Sequence, residues 1–175
     1  LVGAEAARRI VEFRRDMHQH PEIGMDTARA ADKIEAFLQT LPVEQVHRFA
    51  GNGVCAVIRG KKDGPMIGLR ANDALPIQEE TSVAWKSAID KCAHLCGHDG
   101  HTAGLLAAAT LLAQTRDFAG SVVLIFQPGE EGWAGADKMI KDGLFERYPC
   151  REVFAIHGAP SRPLGTVAVR EGAMT

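Results

Sequence analysis

The sequence has little of what a membrane protein, a disulfide-stabilised protein or a nucleic-acid-binding protein needs. Its longest apolar stretches, such as 105–109 and 122–126, are far shorter than the roughly 20 residues that cross a bilayer. Four cysteines are too few for a disulfide scaffold in 175 residues, so we expect reduced thiols. Twenty basic against 22 acidic residues give a net charge of −2, which provides no positive field for nucleic acid or anionic lipid. We therefore expect neither a membrane nor a nucleic-acid partner.

The two ends of the chain also lack familiar signals. Leu1 stands where an initiator Met would, no apolar signal core follows it, and no terminating signal is evident at Met174-Thr175. From this we expect a cytoplasmic protein and a chain cut from a longer one. The composition itself, 46% hydrophobic and 24% charged, is that of an ordinary globular domain.

Helical and strand patterns of hydrophobicity alternate along the chain. The predicted helices cover 4–18, a segment from a cap at Asp26 or Thr27 to Pro42, 102–114 and 135–142. The predicted strands cover 53–59, 66–70, 121–127, 153–156 and 166–169. The first two strands flank a turn-like segment, which predicts a hairpin, and the third is apolar throughout, as in an interior strand. This alternation favours a layered α/β domain with a mixed sheet.

Residues with metal-binding or acid–base chemistry follow three of the predicted strands. Asp73 follows the second strand, the pair Glu130-Glu131 follows the third, and His157 follows the fourth. The segment 94–101, which holds three His and one Cys, precedes the third helix. Because ligand sites of open α/β sheets lie outside the carboxyl ends of the strands, we expect these four places to meet in one cleft.

Cys96 and His98 flank Gly97 and are close enough to bind one cation together. Their sulfur and nitrogen donors suit Zn²⁺ or another borderline divalent metal. Without a metal, the same pair would be a buried thiol and a helix-capping His. We expect His94 and His101 to support or cap neighbouring groups rather than to be ligands.

Glu130 and Glu131 are adjacent like charges, which are costly unless a cation neutralises one of them. One carboxylate can coordinate a metal while the other acts as a general base; alternatively, the pair is a solvated acidic turn at a helix N-terminus. His157 ends its strand on the side of the expected cleft, which favours a ligand over a packing role. Asp73 would orient a ligand His or bridge metals, or else form an Asx-turn.

Two histidines and three cysteines have simpler interpretations. His18 and His20 lie at the end of the first helix, where imidazoles usually act as electrostatic caps. Cys55, Cys92 and Cys150 are expected to be ordinary thiols.

Several motifs in order along the chain identify a family. They are 13–22 (FRRDMHQHPE), 73–79 (DALPIQE), 94–102 (HLCGHDGHT), 127–132 (QPGEEG) and His157 followed by Pro160. Together they resemble the hippurate hydrolase and indole-acetyl-amino-acid amidohydrolase family, the N-acyl-amino-acid branch of the dinuclear metallopeptidases. The resemblance runs from about Arg8 to Met174.

The resemblance implies a zinc-exopeptidase-like catalytic domain of three layers, with a mixed, mainly parallel sheet between helices. It also implies two divalent metal ions (Zn, Mn, Co or Ni) per complete site. The reaction would be hydrolysis of the amide bond of N-acyl amino acids by a metal-bound hydroxide. The implied site residues are the metal ligands Cys96, His98, Glu131 and His157, the general base Glu130 and the further catalytic residue Asp73.

In the family, a lid or dimerisation domain interrupts the catalytic domain, which then resumes to supply another His ligand. The resemblance therefore makes 1–175 the N-terminal part of a metallopeptidase-type catalytic domain, without the lid. It implies a small-molecule N-acyl amino acid as substrate and a homodimer of the full-length protein through the lid. The segment 70–76 is one residue shorter than the family pattern Arg-Ala-Asp-x-Asp-Ala-Leu-Pro, and Gly158-Ala159 replace the usual Asn-Trp.

Two other functions fit the same residues. Cys96 could be a nucleophile activated by His98, as in thiol hydrolases. Alternatively, the chain is an inactive fragment or remnant that keeps the fold and weak metal binding.

Overall fold

The strands form a mixed sheet in the computed structural model, which describes residues 2–44, 46–71 and 75–172. They are β1 (His47–Phe49), β2 (Gly53–Arg59), β3 (Lys62–Ala71), β4 (Ala119–Phe126) and β5 (Glu152–Ala155), in the spatial order β1-β2-β4-β3-β5. Of these, β2 runs against the other four: β1 and β4 pair with it antiparallel, whereas β3 pairs parallel with β4 and β5. The predicted mixed, mainly parallel sheet is confirmed.

Helices cover both faces of this sheet. They are α1 (Ala4–Gln19), α2 (Ala28–Leu38), α3 (His98–Thr115), α4 (Gly135–Lys141) and α5 (Leu144–Arg147). The first three pack on one face and the last two on the other. In β2, Val54, Ala56 and Ile58 face the first group, while Cys55 and Val57 face the second. The three-layer architecture is therefore confirmed. Among the described residues, no helix is both long and apolar enough to span a bilayer.

The N-terminus of α2 is capped by a residue other than the two predicted caps. The Glu22 carboxylate accepts hydrogen bonds from the N–H groups of Arg29 (3.1 Å) and Ala30 (2.7 Å). The Thr27 side chain makes no capping bond. Glu22 thus satisfies two of the donors that a helix start leaves unpaired, and its negative charge suits the helix dipole.

The predicted hairpin between 53–59 and 66–70 is wrong. These segments form β2 and β3, but β4 lies between them and pairs with both. The physical reason is the apolar character of β4, whose Val123 and Leu124 are fully buried on opposite faces. A strand that is apolar on both faces gains most from the centre of the sheet, so it separates two strands that are close in sequence.

Other elements also differ from the sequence prediction, which did not include β1. Helix α3 begins at His98, four residues before the predicted start, so His98 lies in its first turn rather than in a preceding loop. Helix α5 was not predicted. The predicted strand 166–169 is irregular, with Val167 and Val169 exposed, because no strand in the described part of the chain pairs with it.

Candidate metal centre

The carboxyl ends of β3, β4 and β5 lie at one edge of the sheet because these strands are parallel. The Gln127 N–H donates to the Ala71 carbonyl (2.9 Å), which keeps the exit of β4 beside the end of β3. Helix α3 starts at the same edge. Gly97, at the start of α3, has a φ of 88°, a left-handed conformation that glycine adopts without strain, and this allows a sharp turn between Cys96 and His98.

Five potential metal-binding or acid–base side chains meet at this edge. Cys96 Sγ lies 3.2 Å from His157 Nε2. His98 Nε2 lies 3.9 Å from a Glu131 oxygen and 4.0 Å from a Glu130 oxygen. Within each of two groups, Cys96–His98–His157 and His98–Glu130–Glu131, the donor atoms all lie within 4.8 Å of one another. We call these five residues the donor cluster; the roles that the sequence assigns to them stay predictions.

The remaining predicted site residues lie beside the donor cluster or outside the described residues. Asp73 falls in the segment 72–74, which is outside them. His101 Nε2 accepts a hydrogen bond from the Gly158 N–H (2.8 Å), so it supports the backbone next to His157. His94 is buried, belongs to neither potential metal group among the described residues, and has an Nδ1 with no hydrogen-bond partner there.

Both histidines of the donor cluster can offer a neutral nitrogen. His98 is only 1% exposed, and burial, with the nearby His101 ring second, lowers its pKa to about 4. At neutral pH its imidazole is therefore uncharged. His157 Nδ1 lies 2.8 Å from the Gly158 carbonyl oxygen, so this nitrogen carries the hydrogen and donates. The tautomer leaves Nε2, the nitrogen that faces Cys96, free to bind a metal.

The environment of Cys96 suits a metal ligand better than a nucleophile. Burial raises the pKa of its thiol, and the neighbouring Glu131 and Glu130 carboxylates raise it further. A nucleophilic thiol needs the opposite shift, that is, a lowered pKa. A thiol and two carboxylates crowded together favour a cation that neutralises them, so this donor set fits a divalent metal.

Glu130 also borders a hollow of about 450 Å³ between α4 and the sheet. Its walls are mostly apolar and include Met139 and Ile140. Arg70 and Gln127 lie in the same wall, where Arg70 Nε donates to Gln127 Oε1 (2.8 Å). Space for a small molecule therefore adjoins the donor cluster on the Glu130 side.

The prediction that His18 is a helix cap is wrong. Its ring is buried, with Nδ1 3.0 Å from Asp99 Oδ2 and Nε2 3.1 Å from Glu79 Oε1. Arg14 Nε donates to the same Asp99 oxygen (3.0 Å). The spacing of four residues between Arg14 and His18, which places both on one helix face, was the sequence signal for this arrangement. His20, by contrast, does lie at the helix end, with Nδ1 2.9 Å from the Asp16 carbonyl oxygen.

Comparison with known proteins finds one family throughout. A family model described as Peptidase family M20/M25/M40 matches residues 72–172. The chain is 41% identical over 168 residues to N-acetylcysteine deacetylase of Bacillus subtilis (strain 168) and 40% identical over 164 residues to hippurate hydrolase of Campylobacter jejuni. These alignments cover 94% and 93% of this chain but only 43% of each relative. The chain thus spans less than half of the length of these curated relatives.

A solved structure gives the same result for the fold. The crystal structure of the Bacillus subtilis YXEP protein, described as a dinuclear metal binding peptidase from the M20 family, matches with a TM-score of 0.91 at 38% identity. The match covers 98% of this chain and 48% of that one. The three layers described above are therefore also found in a metal-binding relative.

Proposed function

The chain belongs to peptidase family M20/M25/M40, and from this premise we propose that the protein hydrolyses the amide bond of N-acyl amino acids with divalent metal ions. The observation that carries the proposal is the donor cluster, in which three separate segments bring a thiol, two imidazoles and two carboxylates to one edge of the sheet. The names of two relatives support the substrate class, because N-acetylcysteine and hippurate are both N-acyl amino acids.

Four members of the donor cluster would hold the metal: Cys96, His98, Glu131 and His157. In the complete protein we expect two ions, as in the dinuclear relative. A bound divalent ion would polarise the amide carbonyl and make water more acidic. The chain's own contribution is a set of donors held by two strand ends and a helix start, with His157 oriented by the hydrogen bond at Nδ1 so that Nε2 faces Cys96.

We assign the proton transfer to Glu130. Its carboxylate lies at the border between the donor cluster and the apolar hollow, where a substrate amide would meet water. As a general base it would take a proton from the attacking water and deliver it to the nitrogen of the leaving amino acid. Asp73, which follows β3 in the sequence, is proposed to orient a ligand.

Other parts of the proposal concern the whole protein. Because the relatives are more than twice as long, we propose that residues 1–175 are the N-terminal part of the catalytic domain. Further sequence would supply a lid, one more His ligand and the contacts of a homodimer. We propose a cytoplasmic location.

Metal binding followed by turnover tests this function. The chain would be dialysed against Zn²⁺, Mn²⁺, Co²⁺ or Ni²⁺ and its metal content measured beside Cys96→Ser and Cys150→Ser. We expect Cys96→Ser to lose affinity and Cys150→Ser, which removes a half-buried thiol outside the donor cluster, to match the parent chain. The whole protein should then hydrolyse hippurate or N-acetylcysteine. Equal binding by both variants, or no turnover of any N-acyl amino acid, would overturn the proposal.

A further inference from the structure

A network of four polar side chains, three of them buried, lies beside the donor cluster. Arg14 and His18 from α1 both contact Asp99, and the other nitrogen of His18 contacts Glu79. Asp99 is fully buried and Glu79 is 2% exposed. Buried carboxylates need charged or hydrogen-bonding partners, but such buried pairs often add little net stability to a core. This favours a further role for the network.

Both nitrogens of the His18 ring face buried carboxylates. Each nitrogen lies within 3.1 Å of a carboxylate oxygen, and an ionised carboxylate only accepts. Burial by itself would raise the pKa of Glu79, but hydrogen bonds from the Ser87 N–H, the Thr81 hydroxyl and His18 outweigh it and lower the pKa to about 2. Arg14 adds a further donor to Asp99 from a partly exposed side chain.

The network holds both flanks of the segment 96–98, which carries two donors of the cluster. On one flank, Asp99 follows His98 directly in the first turn of α3. On the other flank, Glu79 lies in the loop between Leu75 and Ala93. Two backbone hydrogen bonds of 3.0 Å between these residues close the loop, and the segment 96–98 follows shortly after Ala93. His18 joins the two flanks through one rigid ring.

We propose that His18 is a positioning residue, which bridges Asp99 and Glu79 and so holds Cys96 and His98 in the geometry that binds metal. This inference rests on the proposed function, because it presupposes that the segment 96–98 ligates a metal. It predicts that loss of the bridge weakens metal binding by more than the general stability of the fold would explain.

The experiment titrates the metal-free chain with Co²⁺ and follows the thiolate-to-cobalt charge-transfer absorption, which reports coordination by Cys96. His18→Gln is compared with His20→Gln, a matched control on the same helix whose ring lies outside the network. We expect His18→Gln to bind Co²⁺ about 10–100-fold more weakly and with a reduced charge-transfer band, at a temperature where circular dichroism shows it folded. His20→Gln should match the parent chain.

Each outcome has a distinct meaning. A parent chain without a cobalt–thiolate band overturns the proposed function and the positioning role with it. A parent chain with the band, together with a His18→Gln variant that melts earlier but binds Co²⁺ normally, overturns the positioning role alone. If His18→Gln does not fold, Glu79→Gln breaks the same bridge and should weaken Co²⁺ binding in the same direction.

Discussion

Glu130 and Glu131 are adjacent in the chain, similarly exposed at 39% and 37% of their side chains and similarly close to His98, but they differ in their other surroundings. Glu131 interacts with the Cys96 thiol and raises its pKa. Glu130 borders the apolar hollow. The proposed roles of ligand and base therefore rest on position rather than on burial.

Replacing each carboxylate by an amide should separate these roles. In the whole protein, Glu130→Gln should keep its metal content and lose about 10²–10⁴-fold in kcat, because only the proton carrier is removed. Glu131→Gln should lose metal as well as activity. Metal analysis and steady-state kinetics on the same samples provide the test, and equal metal loss in both variants would contradict the assignment.

The raised pKa of Cys96 predicts slow alkylation of the metal-free chain. Burial and the two carboxylates keep the thiol protonated, so its reaction with iodoacetamide at pH 8 should be slower than that of a free thiol and should increase as the pH rises above 9. Glu131→Gln should speed the reaction, because one source of the pKa shift is gone. Mass spectrometry of the Cys96 peptide measures the rate, with Cys96→Ser as the blank. Fast alkylation of the parent chain at pH 7 would instead favour a nucleophilic thiol.

The lowered pKa of Glu79 predicts that its contribution to stability depends on pH. Its pKa in the folded chain is about 2, below the ordinary value of 4.5, so its ionised form stabilises the fold above pH 4.5 and this contribution is lost as the pH falls toward 2. At pH 7, Glu79→Gln should lower the free energy of unfolding by on the order of 3 kcal/mol. Urea unfolding at pH 7 and pH 3.5 should show this difference shrinking at the lower pH. A difference independent of pH would mean that Glu79 contributes only by packing.

Periodicity predicted most of the helices and strands, though not β1 or α5, and it did not predict which strands pair. The apolar pattern of 121–127 indicated an interior strand, and β4 is indeed central. The same pattern contained no information on its partners, so β2 and β3 were assigned to each other because a turn-like segment joins them. Pairing depends on the burial of the whole sheet, which no short window of sequence reports.

At Gly135, α4 packs closely against the loop that carries Glu130 and Glu131. Its N–H donates to the Gly129 carbonyl (2.9 Å), and a Cβ at this position would lie 1.6 Å from the Pro128 carbonyl oxygen. Gly135→Ala should therefore destabilise the chain by about 1–3 kcal/mol and weaken its metal binding. Gly104→Ala in α3, where an added Cβ meets nothing within 4 Å, should stabilise it by about 0.5–1 kcal/mol. Thermal unfolding of both variants is the measurement, and similar shifts would refute the argument.

For the whole molecule, the sequence predicted at which edge of the sheet the candidate site lies, but not the buried contacts of His18 beside it. Parallel strands bring their carboxyl ends to one edge, so residues that follow three strands could be expected to converge. The buried contact of His18 with Asp99 and Glu79 joins parts of the chain 81 and 61 residues apart. That contact depends on how α1 packs against α3, and only the assembled layers determine it.

The central claim is that the donor cluster is a metal site, and the most direct test is to locate bound metal. A crystal of the chain soaked with Zn²⁺ would be measured at the zinc absorption edge. We expect an anomalous peak among Cys96 Sγ, His98 Nε2, the Glu131 carboxylate and His157 Nε2. Zinc bound only elsewhere on the chain, or no peak at this edge of the sheet at saturating Zn²⁺, would contradict it.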